Sequence, residues 1–447
     1  MKIPGKDKHD FVSASIHKKF YYNENLQVPT IIKEYQVIEK TFENTNYIAC
    51  ITVQIPYLFK IEYRYGSMIY SNLLNEVATI LKDLRKNEFR SDDILLLDIF
   101  DIDTFIIFLS APRDSETQIL DHLEMIAERV RISIEQKLFH LFYPYIKDYY
   151  TLAIGYSLVI KNPMINNMRL IMQLVNSSKD MGEFMALKQS HSSKYLLQKI
   201  ILEKNINTVF QPIVNLNTLD VIGYEALSRG PADTEFASPL LLFVMATEFG
   251  LAFELDSLCR QRAFENSNKV DRDKKIFVNT LAMTIHDPEY RGAYLEQLFK
   301  DLKIKPQNVI FEINEKLAID NYDLFRTAMQ DYQDIGIVQA TDDIGSGLAD
   351  LERIMELNPG YMKIDITLVR DIHKSTIKQQ MLRAMASMAQ DLGALVIAEG
   401  VETKEEYQIL KEMDIQYGQG YLFGRPSETI EPVNKDFLIP EKDSQPE

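Results

Sequence analysis

Cysteine is scarce in this chain, and its scarcity excludes two classes of protein. The 447 residues contain two cysteines, Cys50 and Cys259, which lie far apart in the sequence. Neither a disulfide framework nor a zinc-ligand spacing can be built from this pair. The sequence therefore predicts two reduced, buried thiols.

Long apolar runs are also missing. The first 20 residues are charged and have no apolar core, which argues against a secretory signal peptide. The most apolar stretch, 94–110, is interrupted by Asp98, Asp101 and Asp103. It cannot supply the ~20 apolar residues that a membrane-spanning helix needs. We therefore expect a cytoplasmic protein without a membrane span.

Positive charge is in short supply, because the net charge is -16. Such a protein is not expected to bind DNA or RNA polymers through their backbones. A substrate that carries phosphate would need local cationic groups or metal ions. The remaining composition, 46% hydrophobic and 26% charged, is ordinary for globular protein, and the length predicts two domains.

The first half of the chain is predicted to be one α+β domain. Residues 1–30 are polar and suggest a loose arm. Over residues 31–178, predicted strands and helices follow the order β-α-β-β-α-β, which favours a mixed sheet with helices on one face. The segment 179–205 is expected to be a helical connector.

The second half, 206–434, has a different pattern and precedes a polar tail, 435–447. Eight short apolar strands alternate with helices, which is typical of a (β/α)8 TIM-like barrel. The predicted strands are 208–214, 221–229, 276–281, 309–313, 336–341, 361–364, 395–398 and 416–422.

Polar residues stand where these predicted barrel strands end. Each acid taken alone is more often a solvated strand-end residue than a ligand, so the signal is their joint order. In a barrel, the carboxyl ends of the strands share one mouth, where active-site groups gather. The residues are Glu225, Asn279, Glu312, Glu315, Asp342, Asp343, Lys363, Asp365, Glu399, Glu402 and Gln419.

These residue types favour hard divalent cations such as Mg²⁺ or Mn²⁺, because carboxylates and one amide dominate and histidine and cysteine are absent. The adjacent Asp342 and Asp343 are a pair that can hold two ions. Two ions ~4 Å apart promote in-line attack on a phosphodiester. Lys363 would orient or deprotonate the attacking water, or balance phosphoryl charge. Arg229 shares a strand face with Glu225 and would hold a phosphate.

The motifs that carry these residues resemble the EAL domain family. They occur in the family's order and cover nearly all of the second half. They are QPIV (211–214), YEALSRG (224–230), FVN (277–279), FEINE (311–315), DDIGSG (342–347), KID (363–365), AEGVE (398–402) and QGYLFGRP (419–426).

This resemblance implies a barrel that binds cyclic di-GMP and cleaves it to linear pGpG, in a protein that forms a homodimer. By likeness, the ligands of two metal ions are Glu225, Asn279, Glu312, Asp342 and Asp343. Catalytic roles fall to Lys363 beside the attacking water, Glu399 through a metal-bound water, Glu225, and Glu315, which braces the loop after Asp343. Substrate contacts are assigned to Gln211, Leu227, Arg229, Gln419 and Pro426.

One position departs from the family's pattern. Ile344 stands where the family usually has Phe after the Asp pair. Isoleucine is still apolar and can pack, while Gly345 and Gly347 keep the turn chemistry. The substitution is expected to affect rate rather than to remove the site.

The first half resembles GGDEF diguanylate cyclases, with residues 51–81 as their first strand and helix and DIDTF (101–105) as their signature hairpin. Acidic and amide residues of that family are replaced by Gln54, Pro56, Glu62 and Tyr63. Asp101 and Ile102 replace two glycines and obstruct the approach of a phosphate.

The resemblance therefore implies no cyclase activity and no GTP binding. Residues 90–93 have the RxxD form of that family's inhibitory product site, although a surface loop is the favoured interpretation. A regulatory or dimerisation role remains for this domain. The aromatic segment 139–150 is a candidate surface for a protein partner, with core packing as the favoured alternative.

Three functions stay open on the sequence alone. The first is an active phosphodiesterase, supported by the complete set of metal and base candidates. The second is a cyclic di-GMP receptor that does not hydrolyse and signals through the N-terminal domain, for which Ile344 and the altered loop DDIGSGLAD (342–350) are the only arguments. The third is an interaction scaffold that binds no nucleotide, which predicts loss of Arg229 and Gln211, yet both are present.

Overall fold

The structure is a computed structural model, and it describes residues 21–99, 101–110, 119–146, 151–281, 287–314, 322–344, 357–435 and 437. The chain divides into two compact units, residues 1–196 and 197–447. The division falls inside one continuous helix, Asn167–Leu202. The expected connector, 179–205, is therefore not a separate element, because its helix begins within the first unit.

The first unit is an α+β domain. Its strands are β1 (Tyr22–Asn23), β2 (Val28–Pro29), β3 (Tyr47–Gln54), β4 (Ile94–Leu97), β5 (Thr104–Leu109) and β6 (Ala153–Ile160). Its helices are α1 (Ile31–Thr45), α2 (Leu58–Tyr65), α3 (Ser67–Glu88), α4 (Ile119–Phe142) and α5 (Asn167–Leu202), and α5 continues past residue 196.

The sheet of this unit has the order β4-β5-β3-β6, and all its pairings are antiparallel. The prediction of a mixed sheet is therefore wrong. Strands β3 and β4 do run in the same direction, but β5 lies between them, so they do not pair with each other. Among the described residues, the parallel contact of this sheet is an isolated bridge between Thr30 and Leu97 at its edge.

Helices cover both faces of this sheet, which corrects the prediction of one covered face. Helices α2, α3 and α4 pack on one face, against residues such as Ile51 and Phe105. Helices α1 and α5 pack on the other, against residues such as Cys50 and Phe108. Strands buried on both sides are continuously apolar rather than alternating, as in the TFIIFL run of β5.

The stretch 21–30 is packed, in contrast to the loose arm expected from the sequence. Strands β1 and β2 pair with each other, and Thr30 forms a bridge with Leu97 at the edge of the sheet. Leu26 and Val28 are buried in the core of the first unit. Residues 1–20 lie outside the described part of the chain.

The second unit is a closed barrel of eight strands. The strands are β7 (Asn207–Asn215), β8 (Val221–Arg229), β9 (Lys275–Thr280), β10 (Val309–Asn314), β11 (Val338–Ile344), β12 (Tyr361–Ile364), β13 (Leu395–Ala398) and β14 (Tyr417–Gln419). The helices described in this unit are α6 (Pro239–Glu248), α7 (Ala252–Asn266), α8 (Gly292–Leu302), α9 (Tyr322–Ile335), α10 (Ile366–Val369), α11 (Thr376–Asp391) and α12 (Lys404–Glu412).

One strand departs from a fully parallel barrel. Strand β7 runs antiparallel to both of its neighbours, β8 and β14. Only the short link 216–220 separates β7 from β8. A parallel crossover needs a dozen or more residues, so this link can form only a hairpin. The alternation of strand and helix expected from the sequence thus begins after β8.

Two further features complete the fold. Phe437, in the tail expected to be polar, packs edge-on against Tyr407 with ring centroids 5.2 Å apart. Within the described part of the chain, every helix is too short or too polar to serve as a transmembrane segment.

Candidate active site

A polar layer lies directly above the apolar filling of the barrel. The filling includes Ile213, Phe277, Ile310, Ala340, Tyr361 and Ile397. On a strand, a residue and the second residue after it face the same side. Two positions after five of these apolar residues stand Asn279, Glu312, Asp342, Lys363 and Glu399. Strand period therefore brings all five to one mouth, at the carboxyl ends of β9 to β13.

Lys363 lies at the centre of this layer and contacts four carboxylates. Its Nζ lies 2.8 Å from Glu312 Oε1 and 2.7 Å from Glu399 Oε1. Glu225 Oε2 and Asp342 Oδ1 are each 3.4 Å away. The four acids come from four different strands or strand ends, so the lysine links the barrel across its mouth.

An amide network holds Glu225 from the other side. Asn279 Nδ2 donates to Glu225 Oε1 at 2.8 Å, and Gln419 Nε2 donates to Glu225 Oε2 at 2.6 Å. Gln419 also donates to Gln211 Oε1 at 3.0 Å, and Gln211 donates to the carbonyl of Gly424 at 3.3 Å. The carboxylate of Glu225 is thus oriented before any ligand binds.

Burial and charge act against each other at these groups. Burial alone would lower the pKa of Lys363, but the surrounding carboxylates raise this pKa well above its usual range. Burial, with repulsion from Glu225, raises the pKa of Glu312 well above its usual range. Burial also raises the pKa of Glu399, to about 8. Four acids around one ammonium therefore leave a surplus of negative charge.

This surplus fits a hard divalent cation. Carboxylate oxygens are the ligands that Mg²⁺ and Mn²⁺ prefer. The buried Oε2 of Glu312 has no hydrogen-bond partner among the described residues. Within that part of the chain, no three acidic, histidine or cysteine side chains converge as a ready-made metal site. Lys363 contacts the same carboxylates, so a cation would compete with its ammonium for their oxygens.

A cavity of about 270 Å³ opens beside this polar layer. Three predicted site residues, Leu227, Arg229 and Asn279, contribute to its lining. Arg229 is half-buried and donates from Nη1 to the carbonyl of Ser228 at 2.9 Å. Burial lowers the pKa of this guanidinium. A partly desolvated arginine at the wall of a cavity is suited to bind a phosphate.

Three predicted site residues, Pro426, Asp343 and Glu315, are not seen in contact with the cluster. Pro426 is half-buried and lies two residues after Gly424, whose carbonyl accepts from Gln211. Asp343 belongs to β11, but its side chain lies outside the described part of the chain. Glu315 lies outside the described residues altogether, as do residues 345–347 of the DDIGSG sequence.

At the hairpin that resembles the cyclase signature, Asp98 and Asp101 form ion pairs with Lys179. Lys179, on α5, lies 2.7 Å from Asp98 Oδ2 and 3.0 Å from Asp101 Oδ2. Thr104 Oγ1 donates to the same oxygen of Asp101 at 2.6 Å. Ile102 is half exposed at the tip. Sequence reasoning missed Lys179, because nothing local marks a lysine more than 70 residues away as the partner of this turn.

Residues 90–93 form a structural turn. Asp93 is buried and accepts hydrogen bonds from the backbone N–H of Arg90 at 3.0 Å and of Ser110 at 2.9 Å. Arg85 donates from Nε to the carbonyl of Asp93 at 3.0 Å. The aspartate of the RxxD sequence is therefore committed to the loop, in agreement with the favoured interpretation.

A closed eight-stranded barrel is the architecture of a TIM-like barrel, and the lysine–carboxylate cluster lies at the carboxyl ends of the strands, where active sites of such barrels are found. The family model of the EAL domain matches residues 196–426, which is more than half of the chain. The chain belongs to the EAL domain family.

Relatives in Escherichia coli (strain K12) carry informative names. The chain is 31% identical to the probable cyclic di-GMP phosphodiesterase PdeA, over 46% of this chain and 28% of PdeA. It is 27% identical to the cyclic di-GMP phosphodiesterase PdeF, over 56% of this chain and 34% of PdeF. The chain thus spans about a third of the length of these two relatives.

Two other likenesses cover the same region. The blue light- and temperature-regulated antirepressor BluF of Escherichia coli is 29% identical over 49% of this chain and 54% of BluF. Among solved structures, the cyclic di-GMP-bound form of a standalone EAL protein from Vibrio cholerae O395 is 28% identical. It covers 52% of this chain and 98% of that protein, with a TM-score of 0.47.

Proposed function

We propose that the barrel hydrolyses cyclic di-GMP to linear pGpG as a metal-dependent phosphodiesterase. The observation that carries this proposal is the position of Lys363 among Glu225, Glu312, Asp342 and Glu399 in an EAL barrel. The names of the relatives PdeA and PdeF support cyclic di-GMP as the substrate.

Each residue has a defined task in this reaction. Arg229 binds a phosphate oxygen, and Leu227 covers the apolar side of the substrate in the adjoining cavity. Gln211 and Gln419 contact the substrate and hold Glu225 in place. Lys363 donates to the attacking water or to the phosphoryl oxygens. Pro426 completes the substrate side of the mouth.

The carboxylates supply the cation site. The residues that would hold two Mg²⁺ or Mn²⁺ ions are Glu225, Asn279, Glu312, Asp342 and Asp343. Such ions activate the water and neutralise charge on the phosphodiester. Glu399 would act on this centre through water, and Glu315 would brace the loop after Asp343.

The test is hydrolysis of cyclic di-GMP by the purified full chain with Mg²⁺ or Mn²⁺, followed by chromatography of the nucleotides. We expect pGpG, and we expect a chelator to abolish its formation. Cyclic di-GMP that stays intact while it binds would contradict the proposed enzyme.

That outcome would favour the second candidate, a non-hydrolysing cyclic di-GMP receptor. Two observations support it: Ile344 departs from the family's pattern, and the relative BluF is named as an antirepressor. Against this candidate, Ile344 is buried in the apolar cluster between the outer face of the barrel strands and the surrounding helices, and its carbonyl accepts from the N–H of Asp365 at 3.0 Å. Ile344 therefore packs well at this position.

For the first unit we propose a degenerate GGDEF-like domain with a regulatory or dimerisation role and no cyclase activity. Asp101 is held by Lys179 and Thr104, so its carboxylate stays at the turn where a triphosphate would approach. Incubation of the full chain with GTP and Mg²⁺ should yield neither cyclic di-GMP nor pGpG, the product to which the barrel would convert it. Accumulation of either product would contradict the assignment. A homodimer, a protein partner of this unit and a cytoplasmic location remain predictions.

A further inference from the structure

A buried carboxylate outside the metal cluster connects two loops at the barrel mouth. Glu406, in the first turn of α12, is 2% exposed. Its Oε1 accepts from the backbone N–H of Asp371 at 2.8 Å. Its Oε2 accepts from the N–H of Glu402 at 3.0 Å and of Thr403 at 3.0 Å. One side chain thus joins the loop after β12 (365–371, which includes the short helix α10) to the loop after β13 (399–403).

The loop after β13 begins with Glu399 and is held along its whole length. The N–H of Glu399 donates to the carbonyl of Ile364 at 3.0 Å, and the N–H of Val401 donates to the backbone carbonyl of Gln419 at 3.0 Å. Gly400 has φ +66°, and a Cβ there would lie 2.2 Å from Ile366, so only glycine fits. Glu406 holds the other end of this loop through the N–H groups of Glu402 and Thr403.

The position of the loop decides where Glu399 places its carboxylate. Glu399 Oε1 lies 2.7 Å from Lys363 Nζ. A displacement of about 1 Å in a supporting element is enough to lower catalysis by about 100-fold. Burial alone raises the pKa of Glu406, but its three backbone hydrogen bonds lower this pKa below the usual value, so the bridging form is ionised.

We propose that Glu406 is a positioning residue of the phosphodiesterase site. Its carboxylate fastens the loop after β13 to the loop after β12 and so holds Glu399 beside Lys363. This inference rests on the proposed function for its effect on rate. The bridge between the loops can be measured without turnover.

The bridge is tested by hydrogen exchange on the full chain. In Glu406→Gln the amide keeps the volume of the side chain, but its NH₂ group cannot accept from a backbone N–H. The remaining amide oxygen can serve only one of the two segments, so we expect faster exchange in the peptides covering either 365–371 or 399–403, whichever faces the NH₂ group. Glu405→Gln, one residue away and exposed, should exchange like the wild type. Thr403→Ala removes the helix cap that Thr403 Oγ1 offers to Glu406 N–H at 3.3 Å but leaves the Glu406 carboxylate in place, so 365–371 should stay protected.

The effect on rate is tested by a double-mutant cycle. We expect Glu406→Gln to lower kcat by about 10–100-fold, the usual cost of losing a supporting partner, with little change in KM for cyclic di-GMP. If Glu406 acts through Glu399, it should add less than about twofold to the loss in Glu399→Gln. Fully additive losses would overturn the route through Glu399.

The two failures can be told apart. A wild-type protein without turnover contradicts the proposed function, and the exchange result then decides the bridge alone. Unchanged exchange in both 365–371 and 399–403 of Glu406→Gln overturns the bridge, whatever the activity of the wild type.

Discussion

Lys363 and Glu312 form a buried ion pair: Lys363 Nζ lies 2.8 Å from Glu312 Oε1, and the two side chains are 1% and 0% exposed. Their strands, β12 and β10, are not neighbours, because β11 lies between them. The pair therefore reaches across the mouth of the barrel. Breaking such a pair on one side leaves a buried charge without compensation.

Lys363→Met should accordingly destabilise the metal-free protein, by about 3–5 kcal/mol. The four carboxylates then have no ammonium and must take up protons or a cation. We expect Mg²⁺ or Mn²⁺ to raise the melting temperature of Lys363→Met more than that of the wild type, because the ion supplies the missing charge. Lys269→Met, at an exposed position, is the control. Equal metal responses in the two variants would count against a cation site at this cluster.

Glu225→Ala should abolish hydrolysis of cyclic di-GMP and leave the fold intact. Asn279 and Gln419 both hold this carboxylate, so its loss removes an oriented metal ligand. We expect kcat to fall by at least about 100-fold, the upper range for loss of a mere supporting partner. Circular dichroism checks the fold, and the exposed Glu412→Ala is the control. A wild-type rate in Glu225→Ala would show that the site is assigned wrongly.

Arg229→Ala should act mainly on substrate affinity. A hydrogen bond to a charged group contributes about 1.5–3 kcal/mol, so we expect KM for cyclic di-GMP to rise by about 10–100-fold. Arg229→Lys keeps the charge and loses the planar fork, and its KM should lie between those of the wild type and Arg229→Ala. Steady-state kinetics provides the comparison. A fall in kcat with KM unchanged would place Arg229 in the chemistry rather than in binding.

Arg260→Met should destabilise the barrel. Arg260 is fully buried, with Asp256 at 3.0 Å, Asp287 at 3.1 Å and the ring of Tyr290 at 4.0 Å. Its removal leaves two buried carboxylates uncompensated, at a cost of about 3–5 kcal/mol. Urea denaturation measures the loss, and Arg272→Met, at an exposed position, is the control. Equal midpoints for both variants would contradict the structural role of Arg260.

Much of the barrel could be predicted from the sequence. Strands 221–229, 361–364 and 395–398 have the bounds found in the structure, since short apolar runs between helices leave few alternatives. Glu225, Lys363 and Glu399, which these three runs carry or precede, also meet in the shared mouth. The hairpin between β7 and β8 was missed, although the five-residue link already excludes a helix between them.

The first unit was predicted less well, for a physical reason. The order of β3 to β6 along the chain does not decide which of these strands lie side by side in the sheet. The arrangement in the sheet decides whether adjacent strands are parallel or antiparallel. The runs in β3 and β5 are apolar on both faces, and this feature does indicate helices on both sides. The prediction of one covered face did not use it.

The capping sequence Thr403–Glu406 was another available signal. It predicts a helix start, with the glutamate turned back towards the backbone that precedes the helix. The structure has this cap, and the same carboxylate also binds the N–H of Asp371 on a neighbouring loop. The second contact cannot be inferred from the sequence, because residues 371 and 406 meet only when the barrel closes.

The sequence by itself determined the family, the alternation of strands and helices after β8, and which polar residues end the strands. These features are local, since strand period and residue order decide them. The tertiary structure decided that Lys363 stands among four carboxylates, that Lys179 holds the turn at Asp101, and that Glu406 joins two loops. Each of these contacts joins side chains from distant parts of the chain. Strand register, barrel closure and helix packing bring such side chains together, and no local pattern encodes those distances.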